Sequence, residues 1–319
     1  MVDSSYESLE VDLNSIYSDD ETNIMGEINT VSDYIGIISN IDHGKFYRGQ
    51  GDARWRIVSS LTRAIFPRKK DFLNKKEKNE IDYRKLRICI DSRINDIFNA
   101  YVIFKNNLPT YISEIESKEF LINSNLSILL LAQHYGLPTR FIDVSINPLI
   151  ALYFAVSKST IKTQDPAAVF IYDSEAYLTG DEFDYATKNL IESIKSSHVK
   201  TRSEQSSFRE IAKLSSFGYR FMSVTPIPTL TDTLSIEHYS FDKRMQSQEC
   251  LFLFHNNFEK PFQAKNENNL SKIIINNPYR IKKELMNLGI VESKIYPSLS
   301  GFSNTLLNRK INNDFSFFD

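Results

Sequence analysis

The residue types most suited to chemistry are concentrated in one early stretch, Lys45-Phe46-Tyr47-Arg48-Gly49-Gln50-Gly51-Asp52. The first four residues favour a short strand, and the two glycines after it permit positive φ or a close approach of the backbone. A guanidinium at a strand end can hold a carboxylate or a phosphate through two parallel hydrogen bonds, which lysine cannot do. Arg48 is therefore a candidate anion ligand, and equally a candidate for burial against a structural carboxylate.

A second polar stretch, residues 132–148, surrounds a short predicted strand at 140–144. Polar residues at strand ends need partners when the neighbouring segments are core, so we expect this stretch to meet Arg48 in space. We assign catalytic roles to Arg48, Asp143 and Glu249, because a carboxylate could orient a ribose hydroxyl or act as a base. The predicted ligand-binding residues are Tyr47, Gly49, Gln50, His134, Thr139, Arg140 and Gln248.

The alternative for this constellation is structural. Arg140 could pair with Asp143, and Arg48 could be buried in an ion pair of its own. His134 is placed at a helix end, where it either contacts the pocket or only terminates the helix.

Several other kinds of site are not indicated by the sequence. The five histidines have no close-paired ligand spacing, and neither cysteine has a second cysteine two residues away, so no metal site is predicted. The glycine-flanked serine of serine hydrolases, the P-loop and the dinucleotide-binding glycine fingerprint are also absent. No cofactor is implied with certainty.

Charge is distributed unevenly along the 319 residues. Residues 1–44 contain ten acidic residues and no lysine or arginine, whereas the rest of the chain carries 38 basic and 30 acidic residues. A basic body could attract an anionic ligand, but a solvated surface is the simpler interpretation.

We expect a cytoplasmic protein without a membrane partner, because both cysteines are flanked by apolar residues and the chain has no long apolar run. The sequence does not indicate an oligomeric state.

The periodicity predicts an α+β fold, a twisted, largely antiparallel mixed sheet covered by helices. We divide the chain into an acidic, partly ordered lead-in at 1–28 and one domain at 29–319, with a variable helical insertion at about 174–240. Asn147-Pro148 and Asn277-Pro278 each open a helix, and Gly136 and Gly289 each close one. Helices are expected after Val31 with Ser32 as a possible cap, and at 76–108, 119–135, 149–157, 184–197 and 207–216; strands are expected at 45–48, 140–144, 167–172, 219–224, 245–254 and 272–275.

Trp55 is the single tryptophan of the chain. Tryptophan buries a large area while its N–H is satisfied at the edge of a core. We therefore interpret Trp55 as a core anchor in preference to a stacking platform.

These residues together resemble the FRG-domain family, named for a Phe/Tyr-Arg-Gly motif. The matching segments are Tyr47 to Gln50, then Trp55, Ser60, Leu61 and Arg63, then residues 132–140 with Asp143 and 147–149, and more weakly Arg244, Gln248, Phe252, 288–290, Tyr296 and Pro297. The sequence departs from the family pattern at Ser59, where proline is usual, and at Glu249-Cys250, where Gln-Gly is usual. The resemblance implies a bacterial or mobile-element setting, such as defence or toxin activity, but the family supplies no reaction.

Two function classes remain open. An early-strand arginine followed by glycine, with a late-strand glutamate, is similar to the arrangement in one class of ADP-ribosyltransferases, which implies an enzyme acting on a nucleotide such as NAD. The alternative is a non-catalytic module that binds nucleic acid or protein. We rank nucleic acid second because basic and aromatic residues are not interleaved as they are in single-strand binders.

Overall fold

The computed structural model describes residues 22–66, 83–111, 125–174, 176–178, 185, 234–236, 243–255, 258, 260–264 and 266–310. The described chain forms one eight-stranded sheet with the order β1-β8-β4-β2-β3-β7-β6-β5. The strands are β1 Asn23–Ile28, β2 Phe46–Gln50, β3 Phe141–Ser145, β4 Ala167–Tyr172, β5 Ala176–Leu178, β6 Leu234–Ile236, β7 Cys250–Phe254 and β8 Leu270–Ile275.

The helices of the described residues follow in chain order, with one short 3₁₀ turn at Glu267–Asn269. They are α1 Val31–Ile38, α2 Ser60–Ile65, α3 Tyr83–Tyr111, α4 Asn125–His134, α5 Pro148–Val156, α6 Lys243–Ser247, α7 Pro278–Asn287, α8 Glu292–Ile295 and α9 Leu299–Lys310.

Most neighbouring strands of the sheet run antiparallel. The five inner pairings β8–β4, β4–β2, β2–β3, β3–β7 and β7–β6 are antiparallel, and the pairings of the edge strands β1 and β5 are parallel. The predicted α+β class, with a largely antiparallel mixed sheet and covering helices, is therefore confirmed.

The central pairing of the sheet is also its weakest. β2 pairs with β4 at five positions, from Phe46 opposite Tyr172 to Gln50 opposite Ala168. Its other neighbour, β3, is paired with it only where Tyr47 lies opposite Ser145. The two strands therefore separate beyond this point, and the candidate site lies in that separation.

The two faces of the sheet are covered differently. On one face, Tyr47, Val169 and Ile273 pack against α5 residues such as Leu152, within a cluster that also draws on α1 and α7. On the other face, Phe46, Ile142 and Phe170 pack against residues of extended segments, including Ala53, Ile57 and Phe262. Because successive side chains of a strand alternate between faces, both faces of β2 contribute to the core.

α5 lies unusually close to β2 at Gly49. A Cβ built on Gly49 would be 2.0 Å from the carbonyl oxygen of Ala151 and 2.5 Å from the main-chain nitrogen of Ala155. The glycine of the Tyr-Arg-Gly motif is therefore required for packing, because no side chain fits between the strand and the helix.

Of the helix caps predicted within the described residues, those at Asn147 and Asn277 are confirmed. Asn147 caps α5 with Pro148 in its first turn, and Asn277 caps α7 in the same way. Ser59 accepts a hydrogen bond from the Thr62 N–H at the start of α2. The expectation of Ser32 as the cap of α1 is wrong, because Thr30 forms a capping box with Asp33.

Several predicted elements differ from the structure or fall outside it. β1 lies within the segment expected to be a lead-in and adds a parallel edge strand to β8. The expected strand at 245–254 begins only at Cys250, because residues 243–247 form α6. The predicted helices at 184–197 and 207–216 and the strand at 219–224 lie outside the described residues, apart from Tyr185, as do the early parts of the helices predicted at 76–108 and 119–135.

His255 follows β7 and is completely buried. Its Nδ1 lies 3.4 Å from the main-chain nitrogen of Ser59 and 3.4 Å from the hydroxyl of Thr62. Burial, with the nearby Arg140 guanidinium, lowers the pKa of His255 to about 3. The folded protein therefore holds a neutral imidazole at this position over the ordinary pH range.

We predict that Gly49→Ala lowers the free energy of unfolding by at least about 3 kcal/mol, because α5 must move away from β2. Gly51→Ala is the matched control. Its Cβ would meet nothing closer than the Ala155 carbonyl oxygen at 3.8 Å, so its effect should stay below about 0.5 kcal/mol. Urea unfolding of both purified variants measures the difference. Equal effects of the two substitutions would show that the close contact is not restrictive.

We also predict that His255 makes stability fall with acidification. The folded pKa of about 3 lies below the unfolded value of 6.5, so below pH 6.5 the unfolded chain takes up a proton that the folded protein does not. Stability from this group is complete above pH 6.5 and declines towards pH 3, by about 2 kcal/mol between pH 7 and pH 5. Urea unfolding of wild type and His255→Asn at both pH values tests this, and an identical pH dependence of the two proteins would contradict it.

Candidate functional site

A groove of about 1790 Å³ lies where β2 and β3 separate. It is lined by residues 47–51 of β2 and the following turn, by residues 143–145 of β3, and by parts of α2, α4, α5 and α6. The charged groups among its described lining residues are Arg48, Arg54, Arg56, Arg63, Arg93, Asp143, Lys158 and Arg244.

The charge of the lining is strongly unbalanced. Seven arginine and lysine side chains face the groove with one carboxylate, that of Asp143. Cations gathered around a cleft with partly apolar walls focus a positive potential into it and raise the local concentration of anions. The groove is therefore suited to an anionic ligand.

Arg48 lies at the point where the two strands separate. Its Nη1 donates a hydrogen bond to the main-chain carbonyl of Asp143, a residue 95 positions later in the chain. Its Nε is buried and finds no hydrogen-bond partner among the described residues. Desolvation, followed by repulsion from Arg63, lowers the pKa of Arg48 to about 10, against an opposing effect of Asp143. A bound anion would relieve both effects, because it would supply negative charge to an under-neutralised guanidinium.

The Asp143 carboxylate is held in place by a chain of side-chain hydrogen bonds. Gln133 donates from Nε2 to Asp143 Oδ1 at 2.7 Å, and the Thr139 hydroxyl donates to Gln133 Oε1. The main-chain N–H of Thr139 donates in turn to the Ser60 hydroxyl at 2.9 Å. The carboxylate is thus oriented by buried structure at the start of α2, although Asp143 itself is exposed.

The expected meeting of Arg48 with the second polar stretch is confirmed by the Arg48–Asp143 hydrogen bond. Tyr47, Gly49 and Gln50 also line the groove. Burial raises the pKa of the Tyr47 hydroxyl. The Gln50 amide donates from Nε2 to the Trp55 carbonyl at 3.2 Å.

Two further predicted ligand-binding residues line the same groove, His134 and Gln248. The His134 ring packs edge to face with Tyr135 at 5.2 Å between centroids. Gln248 donates from Nε2 to the Ile295 carbonyl at 3.2 Å, and its own carbonyl accepts from the Ser145 hydroxyl at 2.9 Å. Gln248 therefore connects β3 with α8 at the groove wall.

Three predicted site residues are placed away from the groove lining. Thr139 is buried beneath Gln133. Arg140 is 1 % exposed, with its guanidinium carbon 5.7 Å and 5.2 Å from the ring centroids of Phe254 and Phe258. Arg140, predicted to bind the ligand or else to pair with Asp143, is therefore packed among core aromatic rings and does not line the groove.

Glu249 is the third of these residues. It is exposed, and its Oε1 accepts a hydrogen bond from Asn147 Nδ2 at 2.9 Å. Its backbone has φ of 45°, a left-handed conformation that favours glycine. The structure thus places the unusual backbone at Glu249 itself, next to the position where the family pattern has glycine.

Sequence reasoning did not include several groove residues. Arg244 lies with its guanidinium carbon 4.8 Å from the centroid of the Tyr296 ring. Arg63 on α2 lies near enough to Arg48 to repel its charge, and Arg93 on α3 also lines the groove. Arg63 and Arg244 belong to the motif matches, which was the available signal. The interpretation of Trp55 as a core anchor is wrong, because the side chain lines the groove and is 44 % exposed.

No group of three or more histidine, cysteine, aspartate or glutamate side chains is arranged to hold a metal ion in the part of the chain that the structure describes. None of the helices described there combines the length and the apolar composition that a membrane span requires.

Comparison with known proteins gives one match. Residues 44–164 match the family model of the FRG domain. No curated protein and no solved structure matches the chain. The matched segment contains Arg48, Trp55, Gln133 and Asp143, whereas α6, Gln248 and Tyr296 lie beyond it.

We predict unequal stability effects for Arg48 in β2 and Arg140 directly before β3. Arg140→Ala should lower the free energy of unfolding by at least about 3 kcal/mol, because it removes a fully buried side chain from between two aromatic rings. Arg48→Lys should change it by less than about 1 kcal/mol, since the charge is kept at a site where burial already disfavours it. Urea unfolding measures both, and a larger loss for Arg48→Lys would identify Arg48 as the structural residue.

Proposed function

Since residues 44–164 of this chain match the model of the FRG domain, we propose that the domain binds a phosphate-bearing small molecule of nucleotide type in the groove, with NAD as the leading candidate. The observation that carries this proposal is the charge of the groove, where the described lining residues include seven cationic side chains and one carboxylate. A family match without a described relative supplies no activity, so the proposal depends on the site alone.

Arg48 is the proposed phosphate ligand. Its guanidinium is fixed at one corner by the Asp143 carbonyl, and it carries a charge that burial leaves poorly compensated. A phosphate offers acceptor oxygens at a spacing that matches the guanidinium fork. The neighbouring Arg63 places a second positive charge near Arg48. Two adjacent guanidinium groups suit a diphosphate better than a single phosphate.

Asp143 is the proposed sugar ligand. The Gln133 amide occupies one carboxylate oxygen and fixes the orientation of the group. A carboxylate held in this way can accept a hydrogen bond from a ribose hydroxyl, or a proton if the domain is catalytic. An ADP-ribosyltransferase-like reaction would therefore use Asp143 as its carboxylate, because Glu249 is engaged by Asn147 outside the groove lining.

A nucleic-acid strand is the second candidate ligand, and the size of the groove favours it. The volume of about 1790 Å³ exceeds the range of roughly 300–1,000 Å³ that is usual for small-molecule pockets. The two candidates differ in how many phosphates they present. Binding of a strand must weaken steeply with salt through counterion release, whereas one diphosphate should show a shallow dependence.

We predict that NAD or ADP binds with a shallow salt dependence and that Arg48→Lys weakens binding at least about tenfold, because a charge-assisted bidentate contact is lost. Isothermal titration calorimetry at two salt concentrations, with short DNA and RNA in parallel, gives both quantities. Nicotinamide release is followed in the same samples by chromatography, which distinguishes turnover from binding.

The control variant is Arg280→Lys. Arg280 is exposed on α7, pairs with Glu284 at 3.0 Å and does not line the groove, so its substitution should leave binding unchanged. Tight oligonucleotide binding with a steep salt slope, together with no detectable nucleotide binding, would contradict the small-molecule proposal and support the strand.

A further inference from the structure

We propose that Trp55 is a base-binding platform, so that the groove selects a purine nucleotide whose base stacks on the indole while its phosphates face Arg48. This inference rests on the proposed function and specifies which part of the ligand is recognised where. It also gives a role to the one tryptophan of the chain, which lines the groove and is 44 % exposed.

Trp55 stands apart from the other aromatic rings that line the groove. It is 44 % exposed, whereas Tyr47, Phe66 and Phe252 are buried in the core clusters. Phe154 and Tyr296 are half-buried and pack edge to face at 6.3 Å between ring centroids, and the Arg244 guanidinium lies over Tyr296. Among the described lining residues, only Trp55 presents an aromatic ring that is more than a third exposed.

The turn after β2 connects Arg48 with Trp55, and both residues line the groove. Arg48 and Gln50 lie two residues apart on the strand, a span of about 7 Å. The Gln50 amide then donates to the Trp55 carbonyl at 3.2 Å, which fixes the tryptophan backbone beside the strand end. A phosphate at Arg48 and a base at Trp55 can therefore belong to the same nucleotide.

Hydrogen bonds and ion pairs of the two preceding residues hold the segment that carries the indole in place. The Ala53 N–H donates to the Pro166 carbonyl at 2.8 Å, and the buried Lys272 ammonium donates to the Ala53 carbonyl at 3.2 Å. Arg54 is held by Asp52 at 2.7 Å and Asp165 at 3.1 Å. A pre-ordered platform loses little conformational entropy when a base binds, which favours affinity.

Stacking of a base on an aromatic side chain is favourable and tolerates different bases, but a purine offers the larger π-face. The phosphates contribute through charge and the base contributes through stacking, so the two contributions can be measured separately. A base-free diphosphate should bind Arg48 and ignore Trp55.

The test uses Trp55 as its own reporter. Because the chain has one tryptophan, selective excitation reads this indole alone. ADP should quench and shift its emission in a saturable way, whereas inorganic pyrophosphate and ribose 5-phosphate should not. Calorimetry should show that Trp55→Ala weakens ADP binding roughly 5- to 100-fold and changes pyrophosphate binding less than about twofold. Trp55→Phe should retain most of the ADP affinity.

Phe302→Ala is the control, because Phe302 is a 51 % exposed aromatic residue on α9 outside the groove lining. Equal weakening of ADP and pyrophosphate by Trp55→Ala would overturn the inference and leave phosphate binding at Arg48 intact. Failure of both ligands to bind the wild type would overturn the proposed function and this inference together. Emission quenched only by oligonucleotides, with a steep salt slope, would replace the nucleotide with a strand.

Discussion

The close contact between α5 and β2 at Gly49 is the constraint on which the rest of the site depends. The helix backbone occupies the space that a Cβ would need, so β2 is pressed against α5 and paired along its length with β4. On its other side β2 meets β3 at one position and then separates from it. Arg48 lies where the two strands begin to separate, and its guanidinium donates a hydrogen bond to a main-chain carbonyl of β3. The Tyr-Arg-Gly motif thus combines a core residue, a groove arginine and a packing glycine in three consecutive positions.

The electrostatic character of the site follows from this geometry. A guanidinium placed between diverging strands is largely removed from water, and the carboxylate nearest to it is oriented by Gln133 instead of forming a direct side-chain pair. Burial and neighbouring arginines therefore leave positive charge in excess around Arg48. Such an arrangement costs stability in the empty protein and favours binding of an anion, which is the usual compromise at functional sites.

Local signals in the sequence predicted much of the fold. The caps at Asn147 and Asn277, the strands around Arg48 and Asp143 and the contact between these two residues all followed from periodicity, helix-capping preferences and the need of polar groups for partners. β1 was missed because an edge strand in an acidic segment has little periodicity. The places of Arg140, Glu249 and Trp55 depend on tertiary packing, which decides whether a strand-end arginine enters the core and whether a tryptophan leaves it.

The most direct test of the account is the side-chain NMR signal of Arg48 Nε–Hε in protein labelled with ¹⁵N-arginine, assigned by its loss in Arg48→Lys. This N–H is buried and has no hydrogen-bond partner among the described residues. Titration with ADP should shift this signal saturably and more than the signal of the exposed Arg280, with a midpoint equal to the calorimetric dissociation constant. An unchanged Arg48 signal in ADP-saturated protein would contradict the claim that the guanidinium between β2 and β3 is the anion-binding centre.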